Sequence, residues 1–297
     1  MSIRFVDFDL DESMVAKTIY GNHPHETTKR GAILDRDIGL ELRQFLSEFN
    51  AAIKTERPAY YRIDAFIDQE KLWILEVNAS FVDGWGTALN LGRAARIFVE
   101  PKDLVFPRFF AVENTIYSPE LELLIAELKI RGLSGQFYDQ PFLTSPNPIY
   151  VYGRVGSRDY PNVLPYDGLR LDNKVNLALV SQNWQGHSLK TPKHYLQRWC
   201  SWEELPKNVV LKFCNKSSPE CQRAGQSVLF GKPSGQAPFL RRCYRNELLL
   251  AQEPIPNPHG CQLIILAIGD KALTGYIQYS WQRIINDNSV HGPLKIN

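Results

Sequence analysis

The chain has 297 residues and a mass of 34.0 kDa, enough for a sizeable core divided between two or three lobes, with the 44% hydrophobic and 22% charged residues of an ordinary globular protein. Lysine and arginine number 34 against 32 acids, so a formal charge of +2 supplies no general attraction for nucleic acid or a membrane, and any anion binding has to be local. No run of about 18 apolar residues is present to span a bilayer. The opening Met1 to Asp9 carries acids where a secretory leader needs an apolar stretch, and Cys200, Cys214, Cys221, Cys243 and Cys261 form no CxxC pair, which points to a reducing cytoplasm without a disulfide framework or zinc site.

Residues 3 to 8 alternate as a strand does. The polar stretch from Asn22 to Arg30 holds His23 and His25; a His-x-His metal pair is one reading, and solvent-facing loop histidines are the plainer one. Between Asp37 and Lys54, Ile38, Leu42, Phe45, Leu46, Phe49 and Ile53 recur at helical spacing, so this helix is expected to pack behind the element that follows. That element is a hairpin. Tyr61 to Ile67 and Leu72 to Val77 alternate on either side of Asp68-Gln69-Glu70-Lys71. Along a strand Glu76 and Asn78 point the same way, and antiparallel pairing brings Asp64 onto their face. Two carboxylates and an amide oxygen then converge, a donor set suited to Mg²⁺ that leaves other coordination positions for water and phosphate. The alternative is a solvated hairpin with ordinary surface acids. Gly84, Gly86 and Gly92 follow, either to let a substrate approach the backbone or to turn the chain into a helix.

Past Glu100-Pro101-Lys102 the pattern changes. Phe109 to Val112 reads as a strand. Ser118-Pro119-Glu120 opens a helix striped by Leu121, Leu124, Ile125 and Leu128 and closed by Gly132, and Gln136 to Tyr138 and Ile149 to Tyr152 read as further strands. This is a small, partly parallel α/β lobe with no GxGxxG turn. After a helix carrying Leu177 and Val180, the strand Val209 to Phe213 holds Lys212 among apolar residues, where a cation is costly to bury without an anion, unless the strand is an edge facing water. The polar loop from Cys214 to Gln226 suits a lid over phosphates. Leu248 to Ile255 is apolar up to Gln252-Glu253, and Gln262 to Ile268 with Ala272 to Gln278 forms a second hairpin.

Arg62-x-Asp64 followed by Glu76-x-Asn78 resembles the metal-binding end of the ATP-grasp carboxylate-amine ligases. The resemblance implies ATP and Mg²⁺ as cofactors, with Asp64, Glu76 and Asn78 as metal ligands and Arg62 against the phosphates or the acyl substrate. Lys174 and Lys212 match the family's two phosphate lysines. Residues 248 to 255 resemble its hinge strand, which implies Gln252, Glu253, Ile255 and, in the next strand, Gln262 around the nucleotide. The family's arginine in that strand is replaced by Ile264 and Ile265, leaving Arg283 to take its role. These parts stand in rotated order, so the implied fold is α/β (α+β), an ATP-grasp in circularly permuted arrangement. Residues 1 to 98 form the C-terminal-type section with the metal hairpin, 99 to 170 the small pre-ATP-grasp lobe, and 171 to 297 the linker helix and nucleotide lobe. The implied reaction joins a small-molecule or peptide carboxylate to an amine. The same pocket could serve a regulatory nucleotide-binding module or a phosphotransferase without ligation.

Overall fold

The computed structural model describes residues 3–20, 23–54, 60–79, 83–97, 108–111, 118–132, 149–152, 163–164, 172–216, 218–280 and 289–297. Its largest feature is a mixed eight-stranded sheet. Across it run β1 (Ile3–Asp7), β4 (Arg30–Leu34), β17 (Val290–Ile296), β16 (Lys271–Tyr279), β15 (Cys261–Ile268), β5 (Tyr60–Asp68), β6 (Lys71–Asn78) and β10 (Leu189–Lys190). Strands from both ends of the chain meet here, since β1 and β17 both pair with β4, while the short β2 (Thr18–Tyr20) and β3 (His23–Pro24) pair with each other. The expected nucleotide section, 171 to 297, is shared between two sheets: β15 to β17 lie in the large one, with β15 paired to β5.

The period-2 pattern explains the two faces of this sheet. Tyr61, Ile63, Ala65 and Ile67 of β5 and Leu72, Ile74 and Val77 of β6 point to one side. There they pack on α1 (Arg36–Ile53), whose stripe is the six residues its spacing announces, from Ile38 to Ile53. Asp35 caps α1 by accepting from the Ile38 N–H, and Lys54 ends it in a left-handed conformation. Edge-on aromatic contacts, Phe49 with Tyr61 at 5.6 Å and Phe45 with Trp184 at 5.3 Å, tie α1 to both the hairpin and the linker.

On the other side, α2 (Trp85–Ala94) and α3 (Ser118–Ile130) cover part of the sheet with Trp85, Leu89, Leu124 and Leu128 packed against Tyr60, Ile264, Leu266 and Tyr276. Gly84 and Gly86 serve this packing. Gly84 sits at φ +94 beside the Tyr276 ring, and a Cβ at Gly86 would stand 2.5 Å from the Glu120 carbonyl oxygen. The expected α/β lobe has its parallel strands, β7 (Arg108–Ala111), β8 (Ile149–Tyr152) and β9 (Val163–Leu164). Its helix α3, however, shares the core of the large sheet. The strand expected over 136 to 138 lies outside the described residues.

A second sheet, all antiparallel, runs β11 (His194–Tyr195), β14 (Leu249–Gln252), β12 (Val210–Phe213), β13 (Val228–Phe230). One of its faces packs Leu211, Phe213, Leu249 and Ala251 against Leu240, Cys243 and Tyr244 of α6 (Ala237–Arg245) and Cys221 of α5 (Pro219–Ala224). The linker between the sheets contains α4 (Val175–Ser181) and is held by α1, where the Glu41 carboxylate accepts from the Ser188 and Leu189 N–H groups. None of the five cysteines is in a disulfide. Among the described residues, no helix is long and apolar enough to cross a membrane.

Candidate active site

The expected hairpin is present, and it sets Asp64 opposite Glu76 and Arg62 opposite Asn78, so Asp64 shares a face with Glu76 and Asn78. An irregularity between Asp64 and Ala65 shifts the pairing, so that Ala65 faces Ile74. Glu76 and Asn78 are both buried. They lie where the end of β6 meets the linker and the second sheet.

Three lysines close on this point. Lys174, at the start of α4, donates to Glu76 Oε1 at 2.9 Å, and Lys216, in the loop after β12, reaches the same oxygen at 2.7 Å and Asn78 Oδ1 at 3.1 Å. Lys212 lies 4.0 Å from Glu76 Oε2 and donates to the Leu75 carbonyl at 2.9 Å. Local pairings fix these positions. The Lys174 N–H bonds the Cys214 carbonyl, and Asp172 accepts from the Ala79 N–H, fastening the linker to both β6 and the end of β12. Lys212 is thus buried against an acid and a carbonyl rather than set on a watered edge.

The electrostatics follow from burial and this crowding. Desolvation pushes the Glu76 carboxyl up, but Lys174, Lys216 and Lys212 together outweigh it and hold it well below the usual range. Asp64 is pushed up by burial, and Arg62, which donates to it from Nε at 2.9 Å, only partly offsets this. Asp172 is raised by burial as well. Burial and the neighbouring ammoniums bring Lys212 down to about 8 despite Glu76. Arg62 also holds Asp83, so four acids, Asp64, Glu76, Asp83 and Asp172, share the site with four cations.

Among the described residues no three His, Cys, Asp or Glu side chains form a ready metal cage. Asp64, Glu76 and Asn78 do present only hard oxygen donors from one face, and short contacts show Glu76 already gathering cations. That set fits a magnesium ion completed by phosphate and water.

Gln252 lies on the second sheet beside Val210 and His194, with its Oε1 buried and without a hydrogen-bond partner, as is His194 Nδ1. Burial, then Lys212, brings the His194 ring down to about 3, so it is neutral. Glu253 is exposed and paired to the Lys193 backbone, and Ile255 is half-buried in the loop beyond. Gln262 pairs with Gln278 two residues from Ile264, which stands opposite Asp64. Arg283 lies outside the described residues. His25 does not face solvent: its ring lies 4.7 Å from that of His291, tilted by 39°. Sequence reasoning missed Lys216, Asp83, Asp172 and His194. Lys216 stands four residues past Lys212 in the polar loop, and Asp172 two residues before Lys174, but neither spacing is distinctive.

No protein-family profile and no curated protein matches the chain. Solved structures do match, among them a Methylobacillus flagellatus KT protein carrying the provisional name gamma-glutamylcysteine synthetase. The alignment covers 86% of this chain and 84% of that one at 12% identity and a TM-score of 0.43, a likeness too low to establish a common fold.

Proposed function

We propose that this chain is an ATP- and magnesium-dependent ligase that activates a carboxylate as an acyl phosphate for attack by an amine, on an ATP-grasp-type scaffold in circularly permuted order. The observation that carries the reading is the convergence of Lys174, Lys212 and Lys216 on Glu76 and Asn78 beside Asp64. Lys174 and Lys212 are buried cations that share one carboxylate with Lys216, and such a cluster around a hard-oxygen donor set suits a magnesium-bound polyphosphate. The meeting of β1 and β17 on either side of β4 is consistent with the permuted order.

In this reading Asp64, Glu76 and Asn78 hold the metal, which when bound neutralises charge on the phosphates. Lys174 and Lys212 fix the phosphate chain in line, and the unpartnered Gln252 Oε1 meets the nucleoside. Arg62, set between Asp64 and Asp83, faces the reacting acid. The substrate carboxylate oxygen attacks the γ-phosphorus and ADP leaves. The amine nitrogen then attacks the acyl carbon, the carbon–oxygen bond to phosphate breaks, and the amine proton is released. No protein nucleophile is required. A screen of small-molecule and peptide acids with amines, reading ADP release, tests the proposal: release dependent on both an acid and an amine is expected. Release with neither or only one, or no binding of Mg-ATP, overturns it.

A further inference from the structure

The three lysines differ in how firmly they are held. Lys174 and Lys212 have side chains only 5% and 9% exposed and stand at a helix start and within a strand. Lys216 is 46% exposed and sits in the loop between β12 and α5. It nevertheless takes both an oxygen of Glu76, at 2.7 Å, and Oδ1 of Asn78, at 3.1 Å. Those are lone pairs that a magnesium ion would need at about 2.0 to 2.1 Å. An ammonium at these distances repels a dication on the same two oxygens, so the two compete for them.

A divalent cation approaching alone would meet Lys174, Lys212, Lys216 and Arg62 around acids that these side chains already neutralise. Little net attraction remains for it. A polyphosphate reverses the balance by supplying oxygens to the ammoniums. The lysine able to follow it is the half-exposed one on a flexible stem, which would swing off Glu76 and Asn78 and uncover them.

Resting on the reading above, we infer that Lys216 is a further polyphosphate-binding residue that, without nucleotide, occupies the metal-binding oxygens of Glu76 and Asn78, so that the divalent cation enters with the nucleotide and not before it. Manganese titrations followed by the electron paramagnetic resonance of the free ion test this without turnover. The intact parent chain should take up Mn²⁺ in the presence of a non-hydrolysable ATP analogue and not in its absence. Lys216→Met should bind Mn²⁺ alone about tenfold or more tighter than the parent, and the Mn-analogue complex about tenfold or more weaker, the worth of one charge-assisted hydrogen bond. Lys216→Arg should follow the parent. Tight Mn²⁺ uptake by the nucleotide-free parent overturns the inference whatever the variants do. So does a folded Lys216→Met that matches the parent in both titrations, an outcome that leaves the nucleotide site standing. If the parent binds no Mn-analogue complex at all, the proposed function fails and the inference with it.

Discussion

Lys174 and Glu76, 98 residues apart in the chain, meet at 2.9 Å in a buried ion pair that joins the linker to the β5–β6 hairpin. Lys212 and Lys216 face the same carboxylate, so its loss strands three ammoniums. Glu76→Gln should therefore do more than abolish magnesium-dependent turnover. Breaking a buried pair by removing one partner costs about 3 to 5 kcal/mol. Denaturant unfolding of the nucleotide-free variant should show a loss of that order, and Mg-free ATP or pyrophosphate, as a replacement anion, should restore more of it than either adds to the parent. A variant as stable as the parent would mean that Glu76 does not neutralise the lysines.

Lys212→Met separates charge from packing. Burial and the other ammoniums bring Lys212 down to about 8, so its charge is held at a net cost in the empty protein. Methionine keeps most of the volume and gives up the bond to the Leu75 carbonyl, a loss of about 1 kcal/mol that the relief of charge offsets. The nucleotide-free melting temperature should hold or rise. Mg-ATP affinity should fall by roughly 1.5 to 3 kcal/mol, a charge-assisted hydrogen bond. A variant that melts lower alone, yet gains as much from Mg-ATP as the parent, would make Lys212 structural.

How much of this site is legible in the sequence depends on the range of each contact. The hairpin follows from alternation on two neighbouring strands and a short connection, all within 20 residues, and the α1 stripe is equally local, but the irregularity that sets Asp64 opposite Glu76 rather than Leu75 has no mark in the pattern. Bonds from Lys174 and Lys212 to the hairpin span 98 and 137 residues, and no periodicity encodes them; only the order of motifs in the resemblance suggests them. Lys216 sits in an irregular loop with no pattern to mark it. Placing β15 to β17 beside β5 rather than with the second sheet is a matter of strand pairing across the chain. His25 lies in a loop as expected but does not face solvent, because the nearby bridge between Thr27 and His291 brings its ring to 4.7 Å from that of His291, a long-range pairing that no local pattern marks.

Gly84→Ala should disturb the site through packing. Gly84 has φ +94, and its Cβ would stand 2.7 Å from the hydroxyl of Tyr276, a fully buried ring that cannot swing aside. Backbone strain of this kind costs about 1 to 3 kcal/mol. It falls next to Asp83, so the contact from Arg62 should be displaced and turnover reduced. Gly132→Ala is the control: φ is +73, nothing lies within 4 Å of its Cβ, and only the conformational cost of about 1 kcal/mol applies. Equal losses of stability in the two variants would remove the contact with Tyr276 from the account.

His291 should make the protein acid-sensitive well above the carboxylate range. Its ring is 1% exposed, stands 4.7 Å from His25 and 5.4 Å from Tyr276, and has Gln278 Nε2 at 3.2 Å. Burial brings it down to about 4 and, with His291 adding to the effect, His25 to about 3. His194 is likewise near 3. For a group with a depressed folded-state pKa, the unfolded chain binds more protons between the folded value and the ordinary 6.5. The contribution of each histidine is thus fully present above 6.5 and is lost as pH falls from there through about 4, by up to about 1.4 kcal/mol per pH unit. Unfolding free energies from urea titrations should be level above pH 7 and decline from 6.5 to 5, a window above the range in which Glu76 titrates. His291→Gln keeps an amide able to meet Gln278 and removes one titrating ring, so its stability should be lower at neutral pH but fall less steeply, by roughly 1 kcal/mol per pH unit. An unchanged slope in the variant would show that His291 binds a proton in the folded protein as readily as in the unfolded chain.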